Sequence, residues 1–158
     1  MQLETTRFGT IEVDSDAIIT FTQPILGFQE FRRFVLLPGP ADDNICWLQS
    51  VESKELAFIL MDPKAMIPDY KVELRPHELS ELAVNSPDEL QIYTMVVVPQ
   101  DRSKVRTNLK APILISPKHR LGKQTILDRS DYPVQFFLAR AQSAQDQSQE
   151  VSHARSDA

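Results

Sequence analysis

At 158 residues, with 42% hydrophobic and 25% charged residues, the chain has material for one domain with a sizeable core and is too apolar for a disordered protein. A single cysteine, Cys46, excludes an internal disulfide and any multi-cysteine zinc site. Gly9, Gly27, Gly39 and Gly122 lie too far apart to form a phosphate-cradling loop, and the net charge of −5 gives no general affinity for nucleic acid.

In chain order, Leu3–Thr6 and Ile11–Val13 read as two alternating runs about a turn containing Gly9, which is a hairpin pattern. Ala17–Phe21 reads as a strand stopped by Gln23-Pro24. Ile25 to Phe34 reads as one helical turn or an irregular loop. Val35–Leu37 is a strand ended by Pro38-Gly39-Pro40. Cys46–Val51 and Leu56–Met61 form a second hairpin about the polar turn Glu52–Glu55, and the later strand is apolar on both faces.

Tyr70–Leu74 is expected to be a strand. Pro76–Val84 is the one good helix candidate, with proline early, acids in the first turns and Leu79, Leu82 and Ala83 on one face. Leu90–Val98, Pro112–Ser116, Gln124–Leu127 and Val134–Leu138 follow as strands. About ten strands against one helix predict an all-β fold, a small antiparallel β-barrel-like single domain over residues 1–140. Residues 141–158 hold four Gln, four Ser and four Ala with Val151 the one large aliphatic residue, a composition expected of a disordered tail.

Charge is segregated along the chain. Residues 1–101 carry 7 Lys and Arg against 17 Asp and Glu, a net −10, whereas residues 102–127 carry seven bases and no acid. An acidic field with one basic segment favours a basic partner and opposes non-specific nucleic-acid binding. The basic segment also lacks the interleaved aromatic rings that single-strand RNA binding uses for base stacking. No run approaches the roughly 18 apolar residues of a membrane span. With no basic-then-apolar leader in Met1–Thr6, the expected location is the cytoplasm.

The sequence offers no catalytic constellation. There is no G-x-S-x-G elbow, Cys46 sits in an apolar strand beside Trp47 as a core thiol, and His77, His119 and His153 lack metal-ligand spacing. The acid pairs Asp42-Asp43 and Asp88-Glu89 flank loops or element ends as solvated charges. Neither an enzymatic activity, a cofactor nor a metal is expected.

Three strings stand out in order along the chain. The first is Leu26-Gly27-Phe28 followed by a Phe-rich run into Phe34-Val35-Leu36-Leu37. The second is Trp47–Val51 joined to Leu56–Pro63 and then Pro68-Asp69-Tyr70. The third is Thr107–Ile113, continuing through Gly122–Leu127 to Tyr132. Together they resemble the FliW family of bacterial flagellar assembly factors. Departures from the family pattern are confined to Pro24, Leu26 and Gln29, where the family usually carries Gly, Pro and Glu.

The resemblance implies a non-enzymatic β-barrel-like protein that binds flagellin and also CsrA, a homodimeric translational repressor, as alternative partners. Surplus flagellin would occupy the protein and leave CsrA free to block flagellin mRNA; export of flagellin would reverse this. It favours antagonism of CsrA by an indirect, allosteric-type route. A flagellin-specific secretion chaperone without CsrA control and a small RNA-binding barrel are the alternative readings. Candidate partner contacts are Phe28, Asp69, Tyr70 and Asn108. Each has a competing structural role: core packing for Phe28, a strand start after Pro68 for Asp69 and Tyr70, and a self-bonded turn for Asn108.

Overall fold

A computed structural model describes residues 1–39 and 44–139. The expectations for Pro40, the Asp42-Asp43 pair, His153 and the tail at 141–158 lie outside the described residues.

Among those residues the chain forms eleven strands and one α-helix. The strands are β1 (Gln2–Thr5), β2 (Gly9–Glu12), β3 (Ile19–Phe21), β4 (Arg33–Pro38), β5 (Ile45–Ser50), β6 (Ala57–Met61), β7 (Gln91–Val97), β8 (Arg106–Thr107), β9 (Ile113–Ser116), β10 (Leu121–Gln124) and β11 (Phe136–Phe137). The helix α1 spans Pro76–Glu81.

Seven strands close a barrel. Antiparallel ladders run from β7 through β6, β5 and β4 to β3, β3 pairs in parallel with β10, and β10 pairs with β9, which returns to β7. The closure removes two sheet edges that would otherwise be open to other chains. β7 serves two neighbours: Gln91–Tyr93 bind β9, while Val96 and Val97 bind β8, which carries β11 outward from the seam.

Strand alternation explains where the cores lie. Phe34, Leu48, Phe58, Leu60, Ile113 and Ile115 point inward and fill the barrel with Phe21 and Ile25. Leu114, between Ile113 and Ile115, points outward into a second cluster with Tyr70, Val72, Leu82, Leu109 and Leu127. The β1–β2 hairpin lays Leu3 and Val13 on Val35, covering the outer face of β4.

The sequence expectations differ from the structure at five places. Tyr70–Leu74 is not a strand: its burial alternates, but it joins no ladder. The helix stops at Glu81 instead of Val84, because Ala83 turns to φ 59° and the Val84 N–H returns to the Leu79 carbonyl at 3.0 Å. Strand β10 covers Leu121–Gln124 and not Gln124–Leu127. The two-residue strand β8 was not anticipated, nor was the parallel β3–β10 pair in an otherwise antiparallel barrel.

Candidate partner-binding surface

Phe28 is placed by its neighbours. Gly27 adopts φ +87°, a conformation that L side chains rarely take, and the Phe28 N–H closes the turn on the Ile25 carbonyl at 2.8 Å. The turn sends the Phe28 ring inward, edge-on to Phe58 with centroids 4.9 Å apart, where it caps the barrel core half-buried. The same turn pushes Leu26 out to 64% exposure, with its N–H bonded to Gln124 Oε1 at 3.0 Å. In this loop the outward apolar group is Leu26.

Tyr70 and the Asn108-Leu109 turn meet on the outer side of the barrel wall, and Asp69 precedes Tyr70 in the chain. Asp69 is exposed, but Tyr70 is buried and donates its hydroxyl to the Leu109 carbonyl at 2.6 Å. Desolvation, reinforced by the neighbouring Tyr132 ring 4.6 Å away, pushes its phenol pKa well above the ordinary tyrosine value. Asn108 Oδ1 accepts from the N–H groups of Lys110 and Ala111 at 3.0 and 3.1 Å, an Asx turn that shapes the bend after β8. Tyr70 and Asn108 therefore spend their polar groups on folding, and Asp69 alone of the three presents a free-standing side chain to solvent.

The acidic surface follows from exposure. Of the fifteen described Asp and Glu residues before Arg102, twelve are exposed. The basic segment contributes less than its sequence suggests. Lys123 is buried against Glu81 at 3.2 Å, Lys110 is half-buried with Nζ donating to the Ser130 carbonyl, and Arg106 is half-buried, donating to the Lys104 carbonyl. Glu52 is a fixed negative point: its Oε1 accepts the backbone N–H groups of Arg32 and Arg33 at 2.7 and 2.8 Å, which hold its pKa below the ordinary glutamate value. Burial pushes the Cys46 thiol up to about 11, the opposite of nucleophile activation. Among the described residues no group of His, Cys, Asp and Glu is arranged to hold a metal ion, and no helix is long and apolar enough to cross a membrane.

The comparisons with known proteins agree with this architecture. The family model described as FliW protein matches residues 2–138. The chain belongs to the FliW family. It is 42% identical over 145 residues to the flagellar assembly factor FliW of Geobacter sulfurreducens, covering 90% of this chain and 91% of that one. It is 36% identical over 139 residues to the flagellar assembly factor FliW of Ruminiclostridium cellulolyticum, covering 87% and 94%. A crystal structure of the flagellar assembly factor FliW superposes with a TM-score of 0.79 at 33% identity, covering 87% of this chain and 96% of that one.

Within this FliW fold, two surface features escaped the sequence reading. Arg7 lies over the Trp47 ring at 4.4 Å while Phe8 packs edge-on against it at 5.6 Å, so the β1–β2 turn caps β5. The other is an open slot between the unpaired segment 71–75 and the segment 126–132, a cavity of about 590 Å³. The alternation in Lys71–Arg75 was visible in the sequence, but not that no strand would pair with it.

Proposed function

We propose that this FliW-family protein is a cytoplasmic flagellar assembly factor that works by binding: it holds flagellin, and when flagellin is exported it antagonises the translational repressor CsrA. The observation that carries this reading is the family match across residues 2–138, together with relatives in two organisms named as flagellar assembly factors at 36% and 42% identity. The raised thiol pKa of Cys46 and the surface positions of His77 and His119 fit a binding protein better than an enzyme.

The exposed acids supply a physical reason for the CsrA arm. An RNA-binding repressor carries basic surface for phosphate contacts, and twelve exposed carboxylates before Arg102 attract such a surface. Long-range attraction raises the association rate and makes it salt-sensitive, while buried apolar contacts set the lifetime of the complex. Phe28, Asp69, Tyr70 and Asn108 remain assigned to the partner-binding side of the account in different ways. Asp69 is a direct contact, and the other three shape the loops that present it and Leu26.

The test is calorimetric titration with flagellin and CsrA from the same genome, singly and in competition. The reading expects both to bind and flagellin to displace CsrA. Binding to flagellin alone would leave a secretion chaperone without translational control.

A further inference from the structure

Segment 71–75 has the side-chain pattern of a strand without a neighbour. Val72 is buried and Leu74 half-buried, while Lys71, Glu73 and Arg75 are exposed, which is the period-two alternation of extended chain. Yet the N–H groups of Val72, Glu73 and Leu74 donate no hydrogen bond among the described residues. Lys71 marks the direction of the open side, since its N–H reaches across to the Tyr132 hydroxyl at 2.9 Å. In extended chain the N–H and C=O of residue i+2 point the same way as those of residue i, so the Glu73 backbone faces the slot.

The slot has closed ends and an open middle. The Lys71–Tyr132 bond ties one end, and the Arg75–Asp128 ion pair at 3.4 Å ties the other. Between them lies the cavity of about 590 Å³, to which Leu74, Leu127 and the 55% exposed Ile126 contribute apolar surface. Between the two ties, residues 72–74 leave roughly 10 Å of extended chain open, room for a short added strand. The opposite wall cannot fill this role, because the Ser130 N–H folds back onto the Leu127 carbonyl at 3.0 Å in a turn.

We propose that this slot takes an extended, near-neutral segment of flagellin as a short added strand along Val72–Leu74, with apolar side chains at alternate positions against Leu74 and Ile126. The inference rests on the reading of the protein as a flagellin binder. Charge selects between the two partners: Lys71, Arg75 and Arg129 nearly balance Glu73, Glu78, Asp128 and Asp131 around the slot, whereas a basic repressor is drawn to the carboxylate-rich remainder of the surface. Main-chain pairing supplies affinity and alternate side-chain positions supply selectivity, as in other strand-addition complexes.

The test combines amide hydrogen exchange of the full chain, with and without purified monomeric flagellin, with titration of three variants. Glu73→Pro removes the slot-facing N–H, Glu73→Ala keeps it, and Ile126→Asp places a charge on the apolar wall at an exposed position. The expected result is slowed exchange at the Glu73 amide on flagellin binding, at least 10-fold weaker binding for E73P and several-fold weaker for I126D, and binding within twofold of wild type for E73A. If E73P fails to fold, I126D and the exchange pattern decide. Flagellin bound with unchanged exchange at the Glu73 amide and full affinity in I126D would overturn the slot while leaving the partner reading intact. No flagellin binding by the wild-type chain would overturn the partner reading and the slot with it.

Discussion

Tyr70 and Leu109, thirty-nine residues apart, are joined by a 2.6 Å hydrogen bond from the phenol hydroxyl to the backbone carbonyl, with both residues buried. This bond fastens the chain leading into the slot to the turn after β8. Asn108 shapes that turn from within, so two of the family-string residues meet at one point of the outer cluster.

Removing that hydroxyl should cost stability and not partner recognition. Tyr70→Phe leaves the Leu109 carbonyl buried and unsatisfied, a loss of about 1–3 kcal/mol. Urea unfolding should show the midpoint fall with unchanged slope, while flagellin affinity of the folded variant stays within a few-fold of wild type.

Gly122→Ala should also destabilise, through overpacking. A Cβ at Gly122 would sit 2.7 Å from the Phe21 ring, which is fully buried and packed on Phe34, so the ring has little room to move. The expected cost is about 1–3 kcal/mol by thermal or urea unfolding.

Glu52 should make stability depend on acid pH. Its folded pKa lies below the ordinary value of 4.5 because two backbone N–H groups bind its carboxylate. A depressed carboxylate pKa stabilises the fold above the unfolded-state value, and the contribution is lost as pH falls through the folded one. Glu52→Gln should therefore be less stable than wild type at pH 7, with the difference shrinking as pH drops below about 4.5; paired urea melts from pH 7 to pH 3 measure it. A difference independent of pH would contradict the assignment.

Cys46 should react slowly while the protein is folded. With its pKa raised to about 11 by burial, its thiolate fraction at pH 8 is roughly 100-fold below that of an unperturbed thiol. A disulfide-exchange reagent should label it at a correspondingly reduced rate in buffer and at the ordinary rate in denaturant.

The barrel strands were legible where apolar and β-branched residues run on between turn signals. Leu90–Val98 and the Cys46–Met61 hairpin are read directly from their patterns and appear as β7, β5 and β6. The β10 expectation is offset by three residues for a physical reason: Gly and Lys are both depleted in strands, yet Gly122 fits there because Phe21 lies against it, and Lys123 is buried because Glu81 neutralises it. Both facts depend on residues distant in sequence. The Tyr70–Leu74 run shows the converse, since alternation reports which side chains are covered and not whether a partner strand exists. At the candidate surface, the sequence singled out Phe28 in the loop after β3. It could not tell the inward Phe28 from the outward Leu26, because the φ of Gly27 decides which of them faces solvent.

The central claim is a partner switch carried by a binding protein. Its most direct measurement is calorimetric competition, in which flagellin is titrated into the preformed complex of this protein with CsrA from the same genome. The account predicts that flagellin releases CsrA and that the association rate with CsrA falls steeply with added salt. A stable complex with CsrA that flagellin cannot displace, or no complex with either protein, would contradict it.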